Sequence, residues 1–263
     1  MSRLPRLVGM IHLIPLPGAP LFNGSMDEVL EAAVADATAL QNAGFPALMV
    51  ENFGDAPFRA DRVEPETVAS MTLATEAVMA ATGLPVGVNV LRNDAMTALA
   101  IAAVTGARFI RVNVLTGVMY TDQGPIVGRA DELLRRRSQL AAEVEIWADV
   151  MVKHATPPPG LGPGQAAVDT TERGLADAVI VSGPGTGEPP DVEVGRAVNS
   201  SVAKGTRVVV GSGATVQNLA QLLDFADSVI VGSGVKVDHD ANKRVDQLKA
   251  AAFVEAATDH GLL

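Results

Sequence analysis

Apolar runs of strand length recur along the chain, and each is followed by a stretch with the 3.6-residue spacing of an amphipathic helix. The first runs are Leu7–Leu13, Ala47–Asn52, Val86–Leu91 and Phe109–Leu115. Glu145–Val152, Ala178–Ser182, Val208–Val210 and Val229–Val231 follow. The intervening patterns predict helices over Met26–Ala43, Pro65–Ala81, Asp94–Thr105, Ala130–Ala142, Ala166–Leu175, Val192–Ala203 and Lys243–His260. A further helix-like stretch separates the last two strands.

Local signals fix some boundaries. Ser25 or Asp27 suits the start of the first helix, and Gly44 its end. Pro65 fits a first helical turn. Thr116–Gly128 is a loop with room for a hairpin, and the proline- and glycine-rich "KHATPPPGLGPGQ" is a mobile or extended loop. Eight strand–helix units in 263 residues predict an α/β fold. The specific expectation is a single-domain (β/α)8 barrel, the TIM-barrel architecture, spanning residues 1–263.

Composition supports that architecture. Hydrophobic residues make up 48% of the chain and aromatics only 3%, so the core is aliphatic, as buried parallel strands require. A net charge of −10 argues against a nucleic-acid surface. The basic run Arg135–Arg137 reads as a solvated helix face. With no cysteine, disulfides, thiolate catalysis and cysteine metal sites are excluded. Arg3 and Arg6 precede an apolar stretch that Pro5, His12, Pro15 and Pro17 interrupt, so it reads as a strand rather than a leader. No run reaches membrane-span length. The expected protein is cytoplasmic, binds no membrane, and self-associates as acidic barrels of this size do.

Barrels of this kind place their chemistry at the C-terminal strand ends. Those ends carry His12, Glu51, Asn52, Asn89, Arg111, Asn113, Asp149, Lys153 and Ser182. Alternation puts Arg111 and Asn113 on one strand face and Trp147, Asp149, Met151 and Lys153 on another. Arg111 and Asp149 can therefore pair inside the mouth. The last two strands both run into Gly-Ser-Gly, at Gly211, Ser212, Gly213 and at Gly232, Ser233, Gly234. Glycine turns at these two positions expose backbone N–H groups to an anion, and the loops after the seventh and eighth strands are where barrels hold phosphate.

The assignment that follows makes His12, Glu51, Asp149 and Lys153 catalytic. Asn52, Asn89, Arg111, Asn113 and Ser182 bind substrate, and the two glycine turns bind phosphate. Lys153 can serve as a Schiff-base amine, an anion ligand or a rim residue. No metal site is assigned, since "VDHDAN" (237–242) reads as a helix-capping or rim loop, and no cofactor follows from the sequence. The substrate class is a phosphorylated sugar or nucleoside-derived phosphate, in isomerase, epimerase or lyase chemistry. The alternatives are a non-catalytic assembly factor and a metal-dependent hydrolase or lyase.

The chain also resembles a known family. "GMIHLIPLPG" (9–18), "VENFGDAPF" (50–58), "GVNVLRND" (87–94), "IRVNVLTG" (110–117), "WADVMVKHA" (147–155) and "VIVGSGVK" (229–236) are similar to the BtpA family, which includes SgcQ-type proteins. The loop "TPPPGLGPG" (156–164) departs from its pattern. The resemblance implies a TIM barrel of the ribulose-phosphate-binding group. Cyanobacterial members are associated with photosystem I biogenesis, and SgcQ-type members accompany sugar-transport and sugar-metabolism genes. The resemblance fixes no reaction.

Overall fold

In a computed structural model, which describes residues 4–140 and 142–263, the chain forms a closed parallel barrel. In chain order the elements are β1 (Leu7–His12), α1 (Met26–Ala43), β2 (Leu48–Glu51), α2 (Pro65–Thr82), β3 (Val86–Asn89), α3 (Ala95–Thr105) and β4 (Phe109–Val112). A hairpin follows, β5 (Val118–Thr121) with β6 (Gly124–Val127), then α4 (Ala130–Gln139), β7 (Glu145–Val150) and β8 (Ala155–Thr156). Next come α5 (Pro163–Val168), β9 (Ala178–Val181), α6 (Val192–Ser201), β10 (Arg207–Val210), α7 (Leu219–Leu222), β11 (Ser228–Val231) and α8 (Gln247–Asp259). The barrel closes in the order β1-β11-β10-β9-β7-β4-β3-β2.

Period-two alternation sorts the strand residues onto two faces. Ile11, Val50, Val88, Ile110, Ile146, Val179, Val208 and Val229 point outward and pack under the helices. Val8, Met10, Met49, Phe109, Trp147, Ile180, Val209 and Ile230 fill the interior. The rings of Phe109 and Trp147 stack with centroids 4.3 Å apart. Gly87 makes room for that pair, because a Cβ there would lie 2.3 Å from the Phe109 ring. Continued one step toward the mouth, the same inward parity delivers His12, Glu51, Asn89, Arg111, Asp149, Ser182, Gly211 and Gly232. Register seals the layer, with His12 opposite Glu51, Glu51 opposite Asn89, and Asn89 opposite Arg111.

The caps explain where helices begin. The Ser25 hydroxyl accepts the Glu28 N–H, and Gly44 closes α1 in the left-handed region at φ 104°. The Asp246 carboxylate accepts the N–H groups of Leu248 and Lys249, so α8 starts at Gln247 rather than at Lys243. The expected helix Ala166–Leu175 is replaced by α5, which begins at Pro163, and a π turn over Asp169–Arg173. Between β10 and β11 only α7 forms, since Thr215 and Asn218 bond each other in a turn that delays the helix. Helix α4 ends at Gln139, and Ala141, inside the expected helix, lies outside the described residues, as do residues 1–3. The stretch after β7, expected to be a mobile or extended loop, holds regular structure at both ends: β8 joins β5 and β6 in a three-stranded sheet, and α5 begins at Pro163. No helix among the described residues is long and apolar enough to cross a membrane.

Candidate active site

At the C-terminal mouth a cavity of about 430 Å³ is lined by His12, Glu51, Phe53, Phe58, Arg92, Arg111, Asn113, Lys153, His154 and Thr186, among others. Its chemistry starts at His12. Nδ1 lies 3.0 Å from the carbonyl oxygen of Ala241, which can only accept, so Nδ1 carries the proton. Burial, followed by the charges of Lys236 and Lys153, holds this imidazole well below its usual pKa. The ring is therefore neutral, and Nε2 is a bare lone pair. It sits 3.7 Å from Glu51 Oε1, too far for a direct hydrogen bond but right for a hydroxyl or water shared between them. Phe53 packs on the imidazole at 4.4 Å between centroids and fixes its plane. Glu51 is 3% exposed, and Asn89 Nδ2 donates to its Oε2 at 2.5 Å.

Lys153 lies three residues past β7. The strand ends where Met151 turns into the left-handed region at φ 52°, which breaks the expected alternation through Met151. The Lys153 carbonyl accepts from Arg92 Nη2 at 2.5 Å. Its ammonium has no carboxylate within ion-pair distance among the described residues. Burial lowers its pKa, and the charges of Arg111 and Arg92 act in the same direction, against Glu51 and Asp149.

Beneath the cavity lies a closed network. Asp149 accepts from Arg111 Nε at 2.9 Å, Arg111 Nη2 at 2.7 Å, Asn113 Nδ2 at 2.9 Å and Ser182 Oγ at 3.0 Å. Burial works against the Arg111 charge, yet the Asp149 charge and hydrogen bonds outweigh it and raise the pKa. Arg111 Nη1 also donates to the Gly211 carbonyl at 3.2 Å, tying the pair to the first glycine turn.

The two glycine turns do meet. Gly211, Ser212, Gly213, Gly232 and Ser233 line a recess that shares His12, Glu51, Arg111, Lys153 and Thr186 with the main cavity. The N–H groups of Ser212 and Gly213 donate to no protein acceptor among the described residues. The recess itself has a volume of about 20 Å³, room for about one water. The loop after β9 covers it. Gly187 N donates to Ser212 Oγ at 3.2 Å, and Ser212 Oγ donates to the Gly185 carbonyl at 3.4 Å.

Several residues expected at the site stand behind it. Asp149 is enclosed by its four donors and lines neither the cavity nor the recess, which makes it a poor base. Asn89 and Ser182 position Glu51 and Asp149 respectively. Asn52 holds the backbone of Leu91, accepting its N–H at 2.7 Å, and donates to Asp55. Gly234 faces the Ala214 carbonyl, 2.3 Å from where a Cβ would lie. Sequence reasoning missed the Ala241 carbonyl, since backbone acceptors leave no residue-type signal. It also gave no role to Arg92, which stands just beyond a strand end and lines the cavity. Among the described residues no three His, Asp or Glu side chains converge as a metal cradle.

The sequence model of the BtpA family matches residues 4–259. The chain belongs to the BtpA family. It is 48% identical over 253 residues to the photosystem I biogenesis protein BtpA of Synechocystis, covering 96% of this chain and 88% of the relative. An uncharacterized protein of Thermococcus kodakarensis is also 48% identical, covering 96% and 95%. The sgc region protein SgcQ of Escherichia coli is 31% identical, covering 95% and 92%. Among solved structures, native KDPGal superposes with a TM-score of 0.63 at 18% identity, covering 100% of this chain and 98% of that one. Phosphoribosyl anthranilate isomerase from Thermus thermophilus gives 0.58 at 14% identity, covering 97% and 98%. These two share the barrel fold with this BtpA-family chain.

Proposed function

We propose that this BtpA-family barrel is an enzyme acting on a small phosphorylated compound, a sugar phosphate or nucleoside-derived phosphate, by isomerase, epimerase or lyase chemistry. One observation carries the reading: the bare Nε2 of His12, the Glu51 carboxylate and the unpaired Lys153 line one cavity, with two glycine turns adjoining. In this reading Glu51 and His12 exchange a proton with a substrate hydroxyl or C–H held between them. The N–H groups of Ser212 and Gly213 receive the phosphate. Because the recess as it stands fits about one water, phosphate entry requires the loop over Gly185–Gly187 to swing outward. Neighbours whose names contain phosphorylated compounds, such as phosphoribosyl anthranilate isomerase, support the reading by fold analogy alone.

A thermal-shift panel of sugar phosphates and nucleotides against their unphosphorylated counterparts tests it. A phosphorylated ligand at about 100 times its Kd adds about 2.7 kcal/mol to native stability. The shift should appear for phosphorylated compounds only and vanish in Ser233→Asp, which puts a negative charge into the recess. A panel in which no phosphorylated compound raises the Tm overturns the reading.

The name of the Synechocystis relative favours a second reading, a non-catalytic assembly factor. It predicts stable co-purification with a protein partner and an unchanged cellular phenotype in Glu51→Gln.

A further inference from the structure

The chain has five lysines, and four of them have evident structural or solvent roles. Lys236 is buried and donates to the Lys243 carbonyl at 2.9 Å, with Asp36 at 3.6 Å. Lys243 pairs with Asp238 at 2.6 Å, and Lys249 donates to the Lys236 carbonyl at 3.2 Å. Lys204 is exposed after α6. Lys153 differs from all of these. It lines both the mouth cavity and the recess, its backbone is fixed by Arg92, and its amine has no acceptor among the described residues.

A half-buried amine with no carboxylate paired to it can attack a carbonyl, and that step needs a proton acceptor in the same cavity. His12 supplies that acceptor, with Nε2 bare because Nδ1 is committed to Ala241. Glu51 supplies a negative charge for a cationic product. We propose that Lys153 forms a Schiff base with a ketone- or aldehyde-bearing phosphorylated substrate, so that the site processes a carbonyl compound. The proposal rests on the reading of the mouth as an active site.

The step balances without an oxidant or reductant. The Nζ lone pair attacks the carbonyl carbon, and the C=O π pair moves to oxygen. One N–H proton passes through His12 Nε2 to that oxygen, giving a carbinolamine. The hydroxyl takes a second proton, from solvent, and leaves as water while the nitrogen lone pair closes C=N. The iminium keeps the remaining N–H and the positive charge, facing Glu51. An iminium acidifies the adjacent C–H or weakens the adjacent C–C bond, which suits the isomerase and lyase chemistries alike. Burial lowers the pKa of Lys153, and the charges of Arg111 and Arg92 act in the same direction, against Glu51 and Asp149.

The test is trapping on the intact protein at neutral pH. Dihydroxyacetone phosphate with sodium borohydride should add one probe per chain, mapped by peptide mass spectrometry to Lys153, and the addition should be lost in Lys153→Met. Formaldehyde with cyanoborohydride, a probe that needs no phosphate site, should label Lys153 ahead of the exposed Lys204 and Lys243. Labelling confined to Lys204 and Lys243 with both probes overturns the proposal, and the wild-type map decides this even where Lys153→Met fails to fold. Two results separate the readings. Formaldehyde on Lys153 without dihydroxyacetone phosphate keeps the nucleophile and counts against the phosphorylated substrate. Thermal stabilisation by dihydroxyacetone phosphate with no label on Lys153 keeps the phosphate and overturns the nucleophile.

Discussion

Replacing Asp149 by Asn tests whether the buried pair beneath the cavity holds the mouth together. Each carboxylate oxygen now takes one Arg111 N–H and one other donor, Ser182 Oγ at Oδ1 and Asn113 Nδ2 at Oδ2. An amide offers one acceptor and puts an N–H donor where the second oxygen was. The less costly orientation turns that donor toward Asn113, whose own Oδ1 is buried without a partner and can accept it after an amide flip. Arg111 Nε is then left facing a donor, and its buried charge loses its counter-ion. Removing one partner of a buried pair costs about 3–5 kcal/mol. For a chain of this size that corresponds to a fall in Tm of roughly 6–20 °C. Scanning calorimetry of Asp149→Asn against wild type reads it. The double variant Asp149→Leu/Arg111→Met should recover much of the loss, because an apolar replacement strands no charge. A loss in Asp149→Asn below about 1 kcal/mol, the value of an exposed ion pair, refutes the argument.

Three further outcomes follow from the geometry. His12 is held neutral well below its usual pKa of 6.5, so the folded chain binds this proton less readily than the unfolded one. The stability it contributes is complete above about pH 6.5 and is lost as pH falls from there toward the folded pKa. Urea midpoints should therefore fall more steeply on acidification in wild type than in His12→Asn, and equal slopes would sink the assignment. Gly213→Ala forces a side chain onto φ +71° with its Cβ 2.2 Å from the Glu188 backbone, and should cost about 1–3 kcal/mol in a denaturation curve. Asn52→Leu leaves the buried Leu91 N–H without its acceptor and should cost about 1–3 kcal/mol. If that variant instead leaves stability intact and abolishes a ligand-induced thermal shift, Asn52 contacts substrate after all.

The sequence alone determined the number of barrel strands, their inward parity up to the strand ends and the side of the barrel that carries the polar residues. A barrel strand has a period of two and a fixed direction, so the residue type at each strand end is also a position. His12, Glu51, Arg111 and Asp149 were legible in that way, and so was the meeting of the two glycine turns. Tertiary structure decided which of these groups reach the cavity. Asp149 and Glu51 are both carboxylates at strand ends, yet four donors close around one while the other faces the cavity. The tautomer of His12 depends on the carbonyl of Ala241, 229 positions away. Lys153 is an unpaired amine because no carboxylate among the described residues comes within ion-pair distance of it. Reactivity depends on partners and solvent at distances of a few ångströms, and neither is encoded in the spacing of residues along one chain.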